Sequence, residues 1–397
     1  MKPLARSRIF IARAAALVAA AGIVLGGQAF AQTTYYWDNN GGTAGFGTAT
    51  GTWAAPTTNN STQGWSTSST GTTALSGTTN TTTSDALNFG TGTASYGLGA
   101  GTITVSGTVS ANSLTFGSQS GAIVLSGGTL SLGGTTPTIT VNNAADTISS
   151  AITGSAGLTK NGTGTLTLSG ANTYNGTTTI TAGTIQIDHA NGLGAGGNIT
   201  FSGGGLKYGT GITQDLSSRI KNSGSAIRVD TNGESVTWGT AVDSTNSGGL
   251  TKNGTGTLTL SATNTYTGST TLNAGTLAGS GNIASSGLVI NSGGIISPGT
   301  SAAADSFGTS SITINGGGYN WTLSSANGSA GTDWDQITST GALTSSGLLT
   351  VNIYGTPGDW DGSANYSWDI FSANSVSGFS AGNFAYDLTN FGILAGN

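Results

Sequence analysis

The segment Gly157–Ser169, with the sequence GLTKNGTGTLTLS, occurs a second time without change at Gly249–Ser261. The similarity continues downstream, to Ile185 in the first copy and to Leu277 in the second. A long unit that recurs within one chain is typical of architectures in which equivalent units stack on one another. The two copies therefore predict a stacked fold.

Alternation within each copy indicates what kind of unit is stacked. Leu166 and Leu168 alternate with threonines, and successive side chains of a strand point to opposite faces. The leucines can then face a core while the hydroxyl side chains face solvent. Each unit is interpreted as one or two coils of a parallel β-helix, in which inward apolar residues stack coil upon coil. An antiparallel sandwich is disfavoured, because near-identical coils stack naturally in register.

Short alternating strands continue outside the copies. They include 102–105, 113–116, 122–125, 129–132, 138–141 and 146–149. Gly, Ser or Asn separates most of them from the next, which is typical of an all-β chain with tight corners. We predict a right-handed parallel β-helix (a β-solenoid) with aromatic-rich N- and C-terminal caps.

This fold divides the chain into four regions. They are a signal peptide at 1–31, a cap region rich in Thr, Ser, Asn and Gly at 32–100, the parallel β-helix at 101–300 with repeats at 157–185 and 249–277, and a β-rich C-terminal region or cap at 301–397. Seven of the eight tryptophans lie in the two end regions, at positions 37, 53, 65, 321, 334, 360 and 368. We interpret them as caps that cover the terminal coils, with stacking on sugar rings as the alternative.

The first 31 residues have the pattern of a secretory signal peptide. Four basic residues precede the apolar run Ala14–Leu25, and the small-x-small site Ala29-Phe30-Ala31 comes before Gln32. The apolar run is shorter than the roughly 20 residues of a transmembrane helix. We therefore expect a secreted or outer-surface protein that begins at Gln32 after cleavage.

The composition excludes several functions. Charged residues make up 6% of the chain, against about 25% in ordinary domains, and there is no Cys. The absence of Cys excludes disulfides, thiolate metal sites and a Cys nucleophile. After cleavage six basic residues would face fifteen acidic ones, a net charge of −9, which makes nucleic acid an unsuitable partner. The one loose basic cluster is interpreted as scattered surface charge and consists of Lys207, Arg219, Lys221 and Arg228.

Few residues are suited to catalysis. The chain has one His, His189, and one Glu, Glu234, so a Ser-His-Asp triad could use only His189. We interpret His189 as a turn residue at a coil corner. The sequence predicts no enzyme, no cofactor and no turnover of pectin, alginate or chitin-like polymers.

Two D-W-D motifs are the remaining candidates for a site. In a strand, the two carboxylates of D-x-D lie on one face about 6.5–7 Å apart, where they could bind Ca²⁺ or act as an acid and a base on a sugar. Polar loop residues around a buried Trp are the favoured interpretation. The sequence assigns no metal site, and the Ca²⁺ candidates are Asp333, Asp335, Asp359 and Asp361.

The repeat also carries a family resemblance. Gly157–Ile185 and Gly249–Leu277 resemble the autotransporter-associated β-strand repeat, also called the passenger-associated transport repeat, of Gram-negative bacteria. Asn291–Gly299 is similar to a segment that often follows such repeats. The resemblance implies an exported β-solenoid that is a structural or adhesin-like passenger. The partners would be polysaccharide, other cell-surface components or further copies of the chain.

Two questions stay open at this point. Parallel β-helices also include lyases and hydrolases, so a polysaccharide-binding or polysaccharide-degrading protein is the alternative. The resemblance would further imply a translocator barrel, for which the segment after Leu277 is too short. The export route, and whether the chain is a fragment, are therefore not decided by the sequence.

Overall fold

The computed structural model describes residues 32–60, 63–299 and 303–392. The predicted signal peptide lies outside the described residues. Within them the chain consists of strands and turns, with three 3-10 helices at Ala94–Tyr96, Ser217–Arg219 and Ala381–Asn383. None of the described helices combines the length and the apolar character that crossing a membrane requires.

The N-terminal region begins the stack of coils. Its strands are β1 (Thr34–Asp38), β2 (Thr52–Trp53), β3 (Thr57–Thr58), β4 (Gly64–Ser66), β5 (Thr78–Thr79) and β6 (Ala86–Phe89). Strand β1 pairs with β6 in parallel and with β4 in antiparallel orientation, and β3 pairs with β5 in antiparallel orientation. Antiparallel pairs therefore close this end of the parallel stack.

Short strands form the first half of the stack. They are β7 (Gly101–Val105), β8 (Thr108–Ala111), β9 (Ser113–Phe116), β10 (Ile123–Ser126), β11 (Thr129–Leu132), β12 (Thr138–Val141), β13 (Ala145–Ile148), β14 (Ala151–Thr153), β15 (Leu158–Asn161), β16 (Thr165–Leu168), β17 (Thr178–Ile180), β18 (Thr184–Ile187), β19 (Ile199–Phe201) and β20 (Gly205–Tyr208). This half has three strands per coil from β7 to β15 and two strands per coil from β16 onward. Face one contains β6, β9, β12, β15, β17 and β19, face two contains β7, β10, β13, β16, β18 and β20, and face three contains β8, β11 and β14. Strands on each face pair in parallel with the coil before and the coil after, which confirms the predicted parallel β-helix.

Twelve further strands continue the stack. They are β21 (Ile227–Asp230), β22 (Ser235–Trp238), β23 (Leu250–Asn253), β24 (Thr257–Leu260), β25 (Thr270–Gly279), β26 (Ile283–Pro298), β27 (Ser306–Ile314), β28 (Gly317–Thr322), β29 (Gln336–Ser345), β30 (Leu349–Gly355), β31 (Phe371–Ser377) and β32 (Phe384–Phe391). From β21 onward all pairs between named strands are parallel.

The two sequence copies occupy different faces of the helix. In the first copy the Leu-Thr-Lys-Asn strand β15 lies on face one, and the Thr-Leu-Thr-Leu strand β16 lies on face two. The ladder of face two runs from β16 through β18, β20 and β21 to β23, which is the Leu-Thr-Lys-Asn strand of the second copy. The second copy is thus displaced by one face relative to the first, and the same sequence forms the same strands in both positions.

The core follows the predicted alternation. Leu166, Leu168 and Leu258 are fully buried, while the threonines between them are partly exposed. Leu168 pairs with Ile148 in the preceding coil and with Ile187 in the following one. Apolar residues therefore form continuous columns along the interior, and hydroxyl residues form rows on the outside.

Glycine at one corner of each copy is required by close backbone contacts. Gly183 and Gly275 occupy equivalent positions, with φ angles of 62° and 69°. A Cβ atom at Gly183 would lie 2.3 Å from the carbonyl oxygen of Gly164 in the preceding coil. At Gly275 the corresponding distance to the carbonyl oxygen of Gly256 would be 2.5 Å. Only glycine lets successive coils approach this closely.

An asparagine ladder joins successive coils on the outer surface of the second half. Asn273 donates to the Oδ1 of Asn253 at 2.9 Å, and Asn291 donates to the Oδ1 of Asn273 at 2.8 Å. Asn315 continues the ladder by donating to Asn291 at 2.9 Å. These amides satisfy one another, so the row is held in a fixed geometry without any charge.

Aromatic residues pack at both ends of the stack. Trp37, Trp53 and Trp65 are buried, with the ring of Trp65 lying 5.0 Å from that of Trp37 and 5.3 Å from that of Trp53. Since these three rings face the interior, they offer no surface for stacking on sugars. At the other end Trp360 and Trp368 are partly exposed and stack with centroids 6.0 Å apart.

Candidate functional site

The D-W-D motifs lie in turns and not in strands, so the two carboxylates of a motif do not share a strand face. Asp335 is fully buried and accepts backbone N–H groups of Asp305 and Thr322, both at 2.8 Å. Burial raises the pKa of Asp335 to about 7. Asp333 and Asp361 accept backbone N–H groups within their own turns, from Ser329 and Ser363.

Asp359 has a different environment from Asp335. Its carboxylate accepts the backbone N–H groups of Ala326 and Asn327, at 2.7 and 3.0 Å, and the hydroxyl of Ser325 at 2.8 Å. The hydrogen bond from Ala326, followed by that from Ser325, lowers the pKa of Asp359 to about 2. Asp359 and Asp333 therefore bind the same loop, at residues 325–329. Both carboxylates hold the backbone of this loop in place through hydrogen bonds. Among the described residues no three His, Asp or Glu side chains are grouped for a metal ion.

The two residues best suited to acid–base chemistry are separated. The Nδ1 atom of His189 accepts the backbone N–H of Asn191 at 3.0 Å in a turn after β18. Glu234 accepts the backbone N–H of Gly211 at 2.9 Å. Each side chain fixes a loop, and the structure does not bring them together.

Two buried lysines are structural features that the sequence analysis missed. Lys160 is fully buried, and its Nζ donates to the carbonyl oxygens of Asn161, Gly162 and Ala182 at 2.7, 2.9 and 3.3 Å. Lys252 makes the equivalent three bonds in the second copy, at 2.8, 2.8 and 3.3 Å. Burial lowers the pKa of each ammonium group to about 8. The alternation in Leu-Thr-Lys-Asn was the available signal, because it places Lys on the same side as Leu.

Two of the four residues in the basic cluster are bound to other parts of the chain, and two are not. Arg219 donates to the carbonyl oxygens of Leu193, Gly194 and Gly197, and Lys221 forms an ion pair with Asp243. Both residues therefore hold the fold together. The other two members of the cluster, Lys207 and Arg228, form no hydrogen bond or ion pair with the described residues.

Lys207 and Arg228 line a polar groove with a volume of about 440 Å³. They lie on neighbouring strands, because Gly205 pairs with Arg228 and Lys207 pairs with Asp230. Gly205 has no side chain, so the outward row that contains Thr184 and Arg228 is interrupted between them. The other lining residues include Thr165, Gln186, Gly203, Gly204, Asp230 and Asn253. The groove thus brings the two free cations together with hydroxyl groups, two amides and the carboxylate of Asp230.

Because three carboxyl groups are buried, we predict that lowering the pH stabilises the fold. Burial raises the pKa of Asp38 and Asp146 to about 6 and that of Asp335 to about 7. In this range the folded chain binds more protons than the unfolded chain, so the free energy of unfolding should rise as the pH falls from about 7 to 4. Urea melts across this range measure the effect.

The variant Asp146→Asn should flatten that profile, since it removes one of the three groups. Asp361→Asn is the opposite control, because hydrogen bonds from Ser363 lower the pKa of Asp361. Its removal should make the rise toward low pH steeper. A free energy of unfolding that falls steadily from pH 7 to 5 in the wild-type chain would contradict this account.

Comparisons with known proteins agree with this architecture. The family model of the passenger-associated transport repeat matches residues 158–187 and 250–278. The chain is 33% identical over 176 residues to the adhesin BmaC autotransporter of Brucella suis biovar 1 (strain 1330). That match covers 44% of this chain and only 5% of the adhesin. No solved structure matches the chain. The chain therefore contains two passenger-associated transport repeats, which correspond to the two copies found in its sequence.

Proposed function

We propose that the chain is a cell-surface, adhesin-like passenger that acts by binding and has no catalytic activity. The observation that carries the proposal is the pair of transport repeats stacked into one parallel β-helix. Sequence similarity to an autotransporter adhesin supports the same function. A rigid stack of coils can present a long, repetitive surface, which suits attachment better than turnover.

The surface available for binding is hydroxyl-rich and uncharged. On face one the outward residues of successive coils are Ser113, Thr115, Thr138, Thr140, Thr159, Asn161, Thr179 and Thr200, all partly exposed. A threonine hydroxyl can both donate and accept hydrogen bonds, as sugar hydroxyls do. Polysaccharide, or another component of a cell surface, is the partner that this chemistry favours.

The adhesin proposal is tested by displaying the full chain on a bacterium that has no adhesin of its own. Retention on polysaccharide-coated and epithelial surfaces should exceed that of cells carrying the empty display vector. The control displays the chain with Leu168→Asp, which disrupts the stack but keeps the surface composition. Retention equal to the empty vector on every surface would refute the proposal.

A non-catalytic role predicts no product from the polymers that bind. His189 and Glu234 fix separate loops, and the D-W-D carboxylates are occupied by backbone donors. Incubation with pectin, alginate and chitin should release no new reducing or unsaturated ends. Release that is lost in Asp333→Asn or Asp359→Asn would establish the polysaccharide-degrading alternative instead.

A further inference from the structure

The described chain uses most of its cations in contacts within itself. From Gln32 onward the sequence contains six Lys and Arg residues. Lys160 and Lys252 are buried among carbonyl oxygens, Arg219 binds three more carbonyls, and Lys221 pairs with Asp243. Only Lys207 and Arg228 have no partner among the described residues. In a chain this poor in charge, both free cations line the same groove.

The strand register sets the distance between the two cations. Lys207 on β20 and Arg228 on β21 are two residues apart in register. Their backbones are therefore about 8 Å apart, given about 4.8 Å between paired strands and about 3.3 Å per residue along a strand. Arg228 is exposed and Lys207 is partly exposed, so both head groups can reach a ligand in the groove. One anionic group, or two on adjacent residues of a polymer, could contact both.

The acidic neighbours are engaged elsewhere. Asp230 lies beside Lys207 in register, but it accepts the backbone N–H of Asn232 at 2.7 Å. Its Oδ1 atom also lies against Gly254, where an added Cβ would be 1.9 Å away. Asp188 accepts the side-chain amide of Gln186 at 2.9 Å. The positive charge of the groove is therefore not neutralised by an ion pair within the described chain.

We propose that this groove binds a carboxylate-bearing polysaccharide of the polyuronate class; this deepens the proposed adhesive function and rests on it. The guanidinium of Arg228 can bind a carboxylate through two parallel hydrogen bonds, and Lys207 adds a second positive charge. Thr165, Thr184 and Gln186 supply donors and acceptors for ring hydroxyls. Gly203–Gly205 present backbone without side chains, so a sugar ring can approach closely. The volume of about 440 Å³ falls in the usual range for ligand sites.

Binding of oligogalacturonate to the full chain tests the proposal by isothermal titration calorimetry. Arg228→Gln and Lys207→Gln should each weaken binding by about tenfold, since each removes charge-assisted hydrogen bonds. The double variant should bind with an affinity no greater than that for neutral dextran. Lys221→Gln is the matched control, because it removes one positive charge outside the groove, and its affinity should stay within about twofold of the wild type.

A second variant blocks the groove without changing the charge. Gly205 has an ordinary φ, and an added Cβ would meet only Arg228, at 3.4 Å or more. Gly205→Tyr should therefore fold normally in a thermal melt and lose at least tenfold in affinity. Unchanged binding in both Gly205→Tyr and Arg228→Gln would overturn the proposal. Competition by inorganic phosphate as strong as that by galacturonate would show a general anion site and overturn the assignment to uronates.

Together, the adhesion and binding experiments show which of the two proposals fails. If displayed cells adhere equally with and without Lys207 and Arg228, and oligogalacturonate does not bind, the groove assignment is wrong while the adhesin proposal stands. If oligogalacturonate binds in the groove but displayed wild-type cells adhere to no surface, the adhesive function is wrong and the ligand class stands.

Discussion

Leu168→Asp should lower the free energy of unfolding by about 3–5 kcal/mol, because it places an unpaired carboxylate between Ile148 and Ile187 in the interior. Thr167→Asp, one residue away, should change it by no more than about 0.5 kcal/mol, since Thr167 faces outward and is partly exposed. Urea melts followed by far-UV circular dichroism compare the two variants directly. The pair is a sensitive test, because a shift of one residue in register would exchange the two results.

Two outcomes would contradict this assignment of faces. Equal losses in both variants would mean that the strand is buried on both sides. A larger loss for Thr167→Asp would mean that the threonines face the core. Leu258→Asp and Thr257→Asp repeat the comparison in the second copy, where Leu258 is buried and Thr257 is partly exposed.

Lys160→Met and Lys252→Met should each lower the free energy of unfolding by about 3 kcal/mol. Methionine fills a similar volume, so the main loss is that of the donor to three carbonyl oxygens, and each unsatisfied buried acceptor costs about 1–3 kcal/mol. The effects should add in the double variant, because the two lysines share no hydrogen-bond partner. Guanidinium melts provide the measurement.

Lys207→Met is the matched control for the buried lysines. Its head group has no partner among the described residues, so the free energy of unfolding should change by no more than about 0.5 kcal/mol. Unchanged or increased stability in Lys160→Met would show that the cost of burying an ammonium group exceeds the benefit of its three bonds. In that case the hydrogen bonds of the two lysines would not stabilise the contact between successive coils.

Much of the fold could be predicted because stacking imposes a regular pattern on the sequence. Alternation fixed which residues face inward, and the repeat indicated parallel coils. The displacement of the second copy by one face could not be predicted. It arises between β20 and β21, where the chain passes through the short helix Ser217–Arg219 and lacks the alternating pattern.

Less of the candidate site than of the fold could be predicted from the sequence. The spacing of the D-W-D motifs suggested shared strand faces, but turns separate the carboxylates and backbone donors occupy them. The basic cluster was recognised as a group, yet nothing in its spacing distinguishes Arg219, which binds carbonyls, from Arg228, which binds nothing within the described chain. These hydrogen-bond partners lie on loops, and the local sequence pattern does not determine the path of a loop.

The displacement of the second copy has a consequence for how such genes can change. Because one sequence unit forms the same strands on two different faces, its folding depends on the coil above and the coil below and not on its angular position. Unequal recombination between the two copies would therefore delete or duplicate the 92 residues that separate equivalent positions, and the repeat at each junction could fold on either face. Lineages could lengthen or shorten the stack in such steps without evolving a new core.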